Sequence, residues 1–307
     1  MTTNLQSISL EPGAALWLQD GDRPDAAAWH LESAGGHWWL SSPPLLKNPR
    51  PSEHLREALL GLFVLQAEAP ASSGLRVYVS HEGALLLQWR VRRPEDQSVD
   101  SLALEPVWSI ARGVWEKWLD VLEGRRAAQD VITGSPARVA PSQAVGLIQQ
   151  MRGLLTGDSE LRRIRVELSE GADEGALVLE SPHESWVVGV VADPAGDALQ
   201  FTTLIGTLSP DHAQACEAVL RALPFNSGPI LGPHLNLMAL MPESDAGLLL
   251  LQSRLSMAGA EADDIKAALG ELLSVADELL RSVSVSNPTT VHLPVNLDPM
   301  MGLHLRG

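Results

Sequence analysis

The stretch Leu85–Val91, LLLQWRV, returns 164 positions later (249 − 85) as Leu249–Leu255, LLLQSRL. Each copy follows an acidic residue and a glycine, with Glu82-Gly83 before the first copy and Asp245-Ala246-Gly247 before the second. Short apolar runs that leave such a turn are typical of the second strand of a hairpin. The pattern therefore predicts a buried, leucine-rich strand in each half of the chain.

The flanks of this strand also repeat. Upstream, the helix start at His54 matches the one at His212, an offset of 158 (212 − 54). Downstream, the apolar positions Val107 and Val114 match Ile265 and Leu272, again offset by 158 (265 − 107). Both halves thus run in the same order, with a helix, strands, a leucine-rich strand and a long closing helix. This order predicts a duplicated domain, and the alternative is two unrelated α+β stretches with similar amphipathic patterns.

The resulting fold class is α+β. Consecutive strands joined by hairpins predict two mostly antiparallel sheets, with helices packed on one face of each. The predicted organisation is a first domain over residues 1–124, a linker rich in Gly and Pro over 125–141, a second domain over 142–283 and an extended tail over 284–307. Apolar residues alternate with others in the tail, which predicts either an edge-like segment that covers a groove or a frayed terminus.

Composition excludes several classes of function. The chain carries 22 basic and 38 acidic residues, a formal charge of −16, which argues against nucleic acid or anionic lipid as the partner. The single cysteine, Cys216, cannot form an internal disulfide, which indicates a reducing compartment and therefore a cytoplasmic location. No apolar run is long enough to insert into a membrane, and the first residues do not resemble a signal peptide.

The motifs of common catalytic sites are also missing. The sequence holds no G-x-S-x-G, no phosphate-binding loop and no dinucleotide fingerprint, and its nine histidines are scattered. We therefore expect no enzyme activity, no catalytic residue, no metal and no cofactor; a site built from scattered residues is the alternative.

The pair Trp38-Trp39 points to binding instead, because neighbours on a strand face opposite sides. One of the two belongs to the core, and the other is exposed, covered by another domain or in contact with a partner. Trp38 is therefore a candidate partner-binding residue.

The second half resembles the small acidic chaperones of bacterial type III secretion effectors, the Tir-chaperone family. The resemblance rests on a leading amphipathic helix at 142–156, FTTLIGTLSPDHAQACEAVLRAL at 201–223, LNLMALMPESDAGLLLLQSRLSM at 235–257 and a closing helix at 262–280. It extends loosely to the first half through the repeat, although that copy lacks the leading helix. The family implies a non-enzymatic protein that binds the extended N-terminal segment of a secreted effector and keeps it ready for export. A regulatory adaptor that binds another secretion component is the alternative function.

The resemblance also implies an arrangement and a set of contact residues. Family members are usually homodimers of half this length, so two fused copies imply an intramolecular pseudo-dimer that is monomeric as a whole. The leading helix is the family's client-contacting helix, which implies partner-binding roles for Val145, Ile148 and Met151. The middle helices imply an interdomain contact between one set from each half, for which the ordinary core is the alternative: Leu55, Leu59 and Phe63 against Val219, Leu220 and Leu223.

Overall fold

The structure is a computed structural model, and it describes residues 8–9, 15–18, 28–69, 74–91, 98–99, 101–131, 141–157, 164–168, 174–180, 185–192, 197–241 and 246–282. The chain divides into two compact units. Unit 1 comprises Met1–Thr133 together with Leu220–Pro233, and unit 2 comprises Gly134–Val219 and His234–Gly307. The predicted tail at 284–307 lies outside the described residues. The predicted domain boundaries did not include the grouping of Leu220–Pro233 with unit 1.

Unit 1 is built from short strands and two long helices. Its elements are β1 (Ile8–Ser9), β2 (Ala15–Leu18), β3 (Trp29–Ala34), β4 (His37–Ser41), β5 (Leu46–Lys47), α1 (Glu53–Glu68), β6 (Arg76–Val79), β7 (Ala84–Val91), β8 (Ser98–Val99) and α2 (Ser101–Leu122). A 3-10 turn follows α2 at Ala128–Asp130. The segment from the second half adds a second 3-10 turn at Leu223–Asn226 and one short helix, α5 (Gly228–Leu231).

The main sheet of unit 1 is antiparallel and has the leucine-rich strand β7 in its interior. The strand order is β2-β3-β4-β7. Strand β5 pairs with β7 beyond the end of β4, and β6 pairs with the other side of β7. Strands β1 and β8 pair separately with each other. One face of the sheet packs on the helices, and Trp29 illustrates this contact because its ring lies 6.1 Å from that of Trp115 on α2.

Helix α1 forms for reasons that the sequence displays. Ser52 caps its N-terminus, and the Ser52 hydroxyl accepts a hydrogen bond from the Leu55 backbone N–H at 3.1 Å. The first turn carries Glu53, which complements the helix dipole. Leu55, Leu59 and Phe63 recur at intervals of four residues and are all buried, so they form the stripe that anchors the helix.

Unit 2 has a second antiparallel sheet of six strands in the order β13-β14-β12-β11-β10-β9. Its elements are α3 (Pro141–Gly157), β9 (Ile164–Leu168), β10 (Glu174–Glu180), β11 (Ser185–Ala192), β12 (Ala198–Leu208), α4 (His212–Ala222), β13 (Leu235–Leu240), β14 (Gly247–Ser256) and α6 (Ala262–Ser282). Helix α6 buries a stripe at Ile265, Leu269 and Leu272 and carries two acidic residues in its first turn. The α+β prediction with two antiparallel sheets is confirmed.

The two units share their strand order. In unit 1 the leucine-rich strand β7 lies between β4 and β6, and in unit 2 the leucine-rich strand β14 lies between β12 and β13. A helix precedes the outer strand in both units, and a long helix follows the leucine-rich strand in both. Helix α3 has no counterpart among the described residues of unit 1. Within the described part of the chain, no helix is both long and apolar enough to cross a bilayer.

Candidate functional site

The face of the unit 1 sheet opposite the helices carries polar and aromatic side chains. Strand alternation and register place Trp39, Arg90, Gln88 and Arg76 on this surface, which we call the polar face. Trp39 pairs with Arg90 across the β4–β7 ladder, and Gln88 pairs with Arg76 across the β7–β6 ladder. Trp39, Gln88 and Arg76 are nevertheless buried, so another part of the chain covers this face.

The cover is the segment Leu223–Gly232, which we call the strap. The backbone N–H of Gly228 donates to Gln88 Oε1 at 2.6 Å, and Arg76 Nη2 donates to the carbonyl of Gly232. The Gly228 Cα lies directly against the indole of Trp39, where an added Cβ would overlap three ring atoms. The backbone of the strap therefore contacts the polar face at its middle, Gly228, and at its C-terminal end, Gly232.

The strap also closes the edge of the sheet at β6. The Val77 N–H donates to Gln66 Oε1 at 2.9 Å, and the Val77 carbonyl accepts from Asn226 Nδ2 at 2.8 Å. Asn226 Nδ2 also donates to Gln66 Oε1 at 3.1 Å. A neighbouring strand would satisfy the same two backbone groups, so these amide side chains replace it and protect the edge from further pairing.

A second set of hydrogen bonds crosses the polar face. The Tyr78 hydroxyl donates to Ser41 Oγ at 3.0 Å, and Gln88 Nε2 lies 3.1 Å from the same oxygen. Gln88 Nε2 also lies 3.4 Å from Glu32 Oε1. Burial raises the pKa of Tyr78 to about 12, and the nearby Glu32 charge adds to this effect. Tyr78 is therefore neutral and available as a donor at physiological pH.

In the unit 1 sheet, one residue from each of the strands β4, β7 and β6 forms a row across the polar face. Unit 2 has a corresponding row on β12, β14 and β13, in which the glutamine is kept and the other two residues differ. Gln252 on β14 lies between Thr202 and Asn236 in register, as Gln88 on β7 lies between Ser41 and Arg76. Gln252 Nε2 is 3.4 Å from the Thr202 hydroxyl. The glutamine of the LLLQ motif thus bonds to a hydroxyl on its neighbouring strand in both units. The basic residue in the row occurs in unit 1, where Arg76 stands at the position of Asn236.

The other edge of the unit 1 sheet is β2. Among the described residues, no strand pairs with the outer side of β2, whose inner side pairs with β3. Trp17 lies on this strand with 70% of its surface exposed, and its ring centroid lies 4.7 Å from that of His30 on β3, with the two ring planes tilted by 39°. An exposed indole that is held by a neighbour presents a large, ordered contact surface. Sequence reasoning did not select Trp17.

The partner-binding residues predicted on helix α3 have unequal exposure. Ile148 and Met151 are buried, Val145 is half-buried, and the helix packs on β10, β11, β12 and α6. Trp38 is also buried, on the face of the sheet that packs on the helices. Partner binding by this set stays a prediction. Val145 is the member whose side chain is partly accessible to a partner while the helix stays packed on the sheet.

Both tryptophans of the pair are buried, and the cover of Trp39 comes from residues 223–232, inside the range predicted for the second domain. The sequence placed one of the two indoles in the core and left the other exposed, covered by another domain or in contact with a partner. Trp38 and Trp39 are 1% and 0% exposed, respectively. Trp38 packs under the helices, and the strap covers Trp39, so both faces of β4 are interior within unit 1.

Helix α3 gives a first testable prediction. Ile148→Ala is expected to lower the free energy of unfolding by about 2 kcal/mol, because it deletes a fully buried branched side chain. The neighbouring exposed Gln149→Ala is expected to change it by less than about 0.5 kcal/mol. Urea denaturation followed by tryptophan fluorescence measures both. Equal stability of Ile148→Ala and the wild type would contradict the core assignment.

The residues predicted to join the two domains are mostly buried. Leu55, Leu59 and Phe63 lie inside unit 1, where α1 packs on α2 and β6. Val219 and Leu223 are buried and Leu220 is half-buried, with Val219 grouped in unit 2 and the other two in unit 1. The interdomain contact itself stays a prediction.

The described part of the chain contains His, Asp and Glu side chains and the single thiol of Cys216. The residues described there include no group of three or more His, Cys, Asp or Glu side chains that could hold a metal ion. Cys216 is buried within α4. What the site offers instead is backbone and side-chain hydrogen bonding at a sheet face, a closed edge and an exposed aromatic ring.

Comparison with known proteins gives a limited result. No known family model matches the sequence, and no curated protein matches it either. Among solved structures, the chain is similar to the Yersinia pestis type III secretion chaperone SycH, which was crystallised in complex with a stable fragment of YscM2. The two are 17% identical, the match covers 43% of this chain and 98% of that chain, and the TM-score is 0.29.

Proposed function

We propose that this protein is a non-enzymatic binder of extended protein segments, of the type III secretion chaperone class, working in the cytoplasm. The observation that carries the proposal is the edge strand β2 with its exposed Trp17. A sheet edge binds an extended chain through backbone hydrogen bonds, and alternate side chains of that chain contact whatever lines the edge. The class itself is inferred from the order of hydrophobic positions over residues 142–283.

The contrast between the two edges of unit 1 supports this assignment. At β6, both backbone groups of Val77 are already satisfied by Gln66 and Asn226, so that edge is closed. At β2, Trp17 and His30 form an aromatic pair beside the edge. A partner strand added there would bury the indole and gain apolar contact in addition to the backbone hydrogen bonds.

The shared strand order of the two units supports a duplicated origin. Gene duplication explains why a glutamine within the leucine-rich strand bonds to a hydroxyl in both units. In this proposal the two copies then diverged, with α3 kept in one copy and the strap recruited to the sheet of the other. The pseudo-dimer arrangement inferred from the family resemblance belongs to the same proposal.

Trp17 provides the test of the proposed function. The partner is first obtained by co-purification with the tagged protein from its own cells, and its protected segment is defined by limited proteolysis. Trp17→Ala is then expected to weaken binding of that synthetic segment roughly 30-fold, about 2 kcal/mol, because a central aromatic anchor is removed. Trp17→Phe is expected to recover much of the affinity.

Ile110→Ala is the matched control for this experiment. Ile110 is 66% exposed, close to the exposure of Trp17, but it lies on α2, which packs on the sheet face opposite the one that carries Trp17. We expect its affinity for the segment to equal that of the wild type. Equal losses in the two alanine variants, or no loss in Trp17→Ala, would refute the edge-binding model. A partner that is itself exported identifies an effector chaperone, and one retained in the secretion apparatus identifies an adaptor.

A further inference from the structure

Four side chains extend the polar face to the open edge of the unit 1 sheet, and we call them the edge strip. Across the β2–β3 ladder Trp17 pairs with His30, and their ring centroids lie 4.7 Å apart on one side of the sheet. Ala15 pairs with Glu32, which lies on the same side because its Oε1 is 3.4 Å from Gln88 Nε2. Trp17 and Ala15 are exposed, and the two residues on β3 are half-buried. A chain added at the β2 edge would therefore place every second side chain beside this strip.

Glu32 supplies a negative charge to the edge strip. Among the described residues, no basic side chain forms an ion pair with Glu32. The contact from Gln88 at 3.4 Å is long for a hydrogen bond, so the carboxylate keeps most of its capacity to accept. The chain as a whole has a formal charge of −16, which also attracts a basic partner during its approach.

The structure shows that side chains on this face can meet across an intervening strand. Gln88 on β7 contacts Glu32 on β3 although β4 lies between the two strands. On the other side of β3 the intervening strand is β2, where the residue between an added chain and Glu32 is Ala15. The methyl group of alanine leaves this path open, and a lysine or arginine side chain is longer than that of glutamine. A basic residue of the added chain opposite Ala15 can therefore reach the carboxylate.

We propose that the β2 edge selects extended segments that carry a lysine or an arginine opposite Ala15, with Glu32 as its counter-ion. This inference rests on the proposed function, since it requires a chain paired with β2. The residue two positions away from the basic one then lies opposite Trp17, where an apolar side chain covers the indole. The partner is thus an extended segment with a basic and an apolar residue separated by one position. An acidic residue in the basic position is rejected by its repulsion from Glu32.

Three synthetic peptides test this selection with the full-length protein. Each has the blocked sequence Thr-Leu-Thr-X-Thr-Leu-Thr with a neutral fluorophore, and X is lysine, norleucine or glutamate. Because alternate residues share one side of a strand, the leucines and X can face the edge strip together. Fluorescence anisotropy measures the dissociation constants at about 0.15 M ionic strength, where long-range attraction to the acidic chain is screened. The lysine peptide is expected to bind roughly tenfold more tightly than the glutamate peptide, with the norleucine peptide between them.

Two variants assign this preference to the edge strip. Glu32→Gln removes the charge but keeps an oxygen that can accept from Gln88, so the lysine and glutamate peptides are expected to bind it within about twofold of each other. Ala15→Leu places a branched side chain between the added chain and Glu32, and we expect it to reduce the preference to about threefold or less while binding is retained. Ala15→Leu carries the test if Glu32→Gln perturbs the sheet.

Glu57→Gln is the matched control, because it removes an equal charge from the exposed surface of α1 in the same unit. It is expected to keep the full preference for the lysine peptide. An equal loss of preference in Glu57→Gln and Glu32→Gln would mean that the net charge of the protein, rather than the edge strip, makes the selection, and the proposal is then overturned.

Trp17→Ala separates this proposal from the proposed function, since it is expected to weaken all three peptides by a similar factor. If it does so while the wild type binds the lysine and glutamate peptides equally, edge binding stands and the charge selection is overturned. If Trp17→Ala changes nothing, or if no peptide binds the wild type, edge binding at β2 fails and the selection fails with it.

Discussion

Replacing Gly228 with valine is expected to lower the free energy of unfolding by about 3 kcal/mol or more. The Cα of Gly228 rests on the indole of Trp39, and a Cβ at this position would overlap ring atoms Cε3, Cδ2 and Cε2. Trp39 is fully buried between the strap and the strand β4, so it has no space into which to move. Either the ring or the strap must shift, and the Gly228 hydrogen bond to Gln88 is lost with it.

Gly113→Ala is the control that separates this clash from an ordinary glycine effect. Gly113 lies inside α2 of the same unit, and a Cβ there would meet nothing within 4 Å. Because alanine favours a helix over glycine, we expect this variant to be as stable as the wild type or more stable by up to about 1 kcal/mol. Urea denaturation measures both variants. Stability of Gly228→Val within about 0.5 kcal/mol of the wild type would show that the strap does not rest on Trp39.

The two sheets and their leucine-rich strands were predictable from local pattern. LLLQ after a turn is an apolar run bounded by glycine, and its recurrence with matching helices on both sides indicated one topology used twice. The closing helix Ala262–Ser282 likewise follows from the spacing of Ile265, Leu269 and Leu272. These features depend on residues that are close together in the chain, which is why periodicity reveals them.

The strap was not predictable in the same way. Residues 223–232 read LPFNSGPILG, in which two prolines and two glycines indicate an ordinary loop. Its role depends on contacts with residues of the first half, such as the bond between Asn226 and Gln66, 160 positions apart. No periodicity encodes a contact at that separation. The same reasoning offered cover by another domain as one alternative for the second tryptophan, but it could not identify this segment as the cover or Arg76 as buried.

Asn226→Asp is the second substitution with a large expected effect, a loss of about 4 kcal/mol at pH 7. The change is nearly isosteric, but it replaces the Nδ2 donor with an oxygen that faces two acceptors, the Val77 carbonyl at 2.8 Å and Gln66 Oε1 at 3.1 Å. Asn226 is fully buried, so water cannot screen the new charge. The edge of β6 would lose its cap, and an ionised carboxylate would stand beside two oxygens.

The pH dependence of this variant distinguishes charge from shape. The site favours the protonated form, so the pKa of the introduced carboxyl in the folded state is expected to lie above its unfolded value of about 3.9. The variant's deficit relative to the wild type is then complete at pH 7 and shrinks as the pH falls through the folded-state pKa, since the neutral acid can donate to the Val77 carbonyl. Asn226→Leu has neither a charge nor a donor, so its loss of stability relative to the wild type is expected to be the same at pH 7 and at pH 5. A deficit of Asn226→Asp that did not change between pH 7 and pH 5 would mean that the carboxylate reaches solvent, and hence that the β6 edge is open rather than capped.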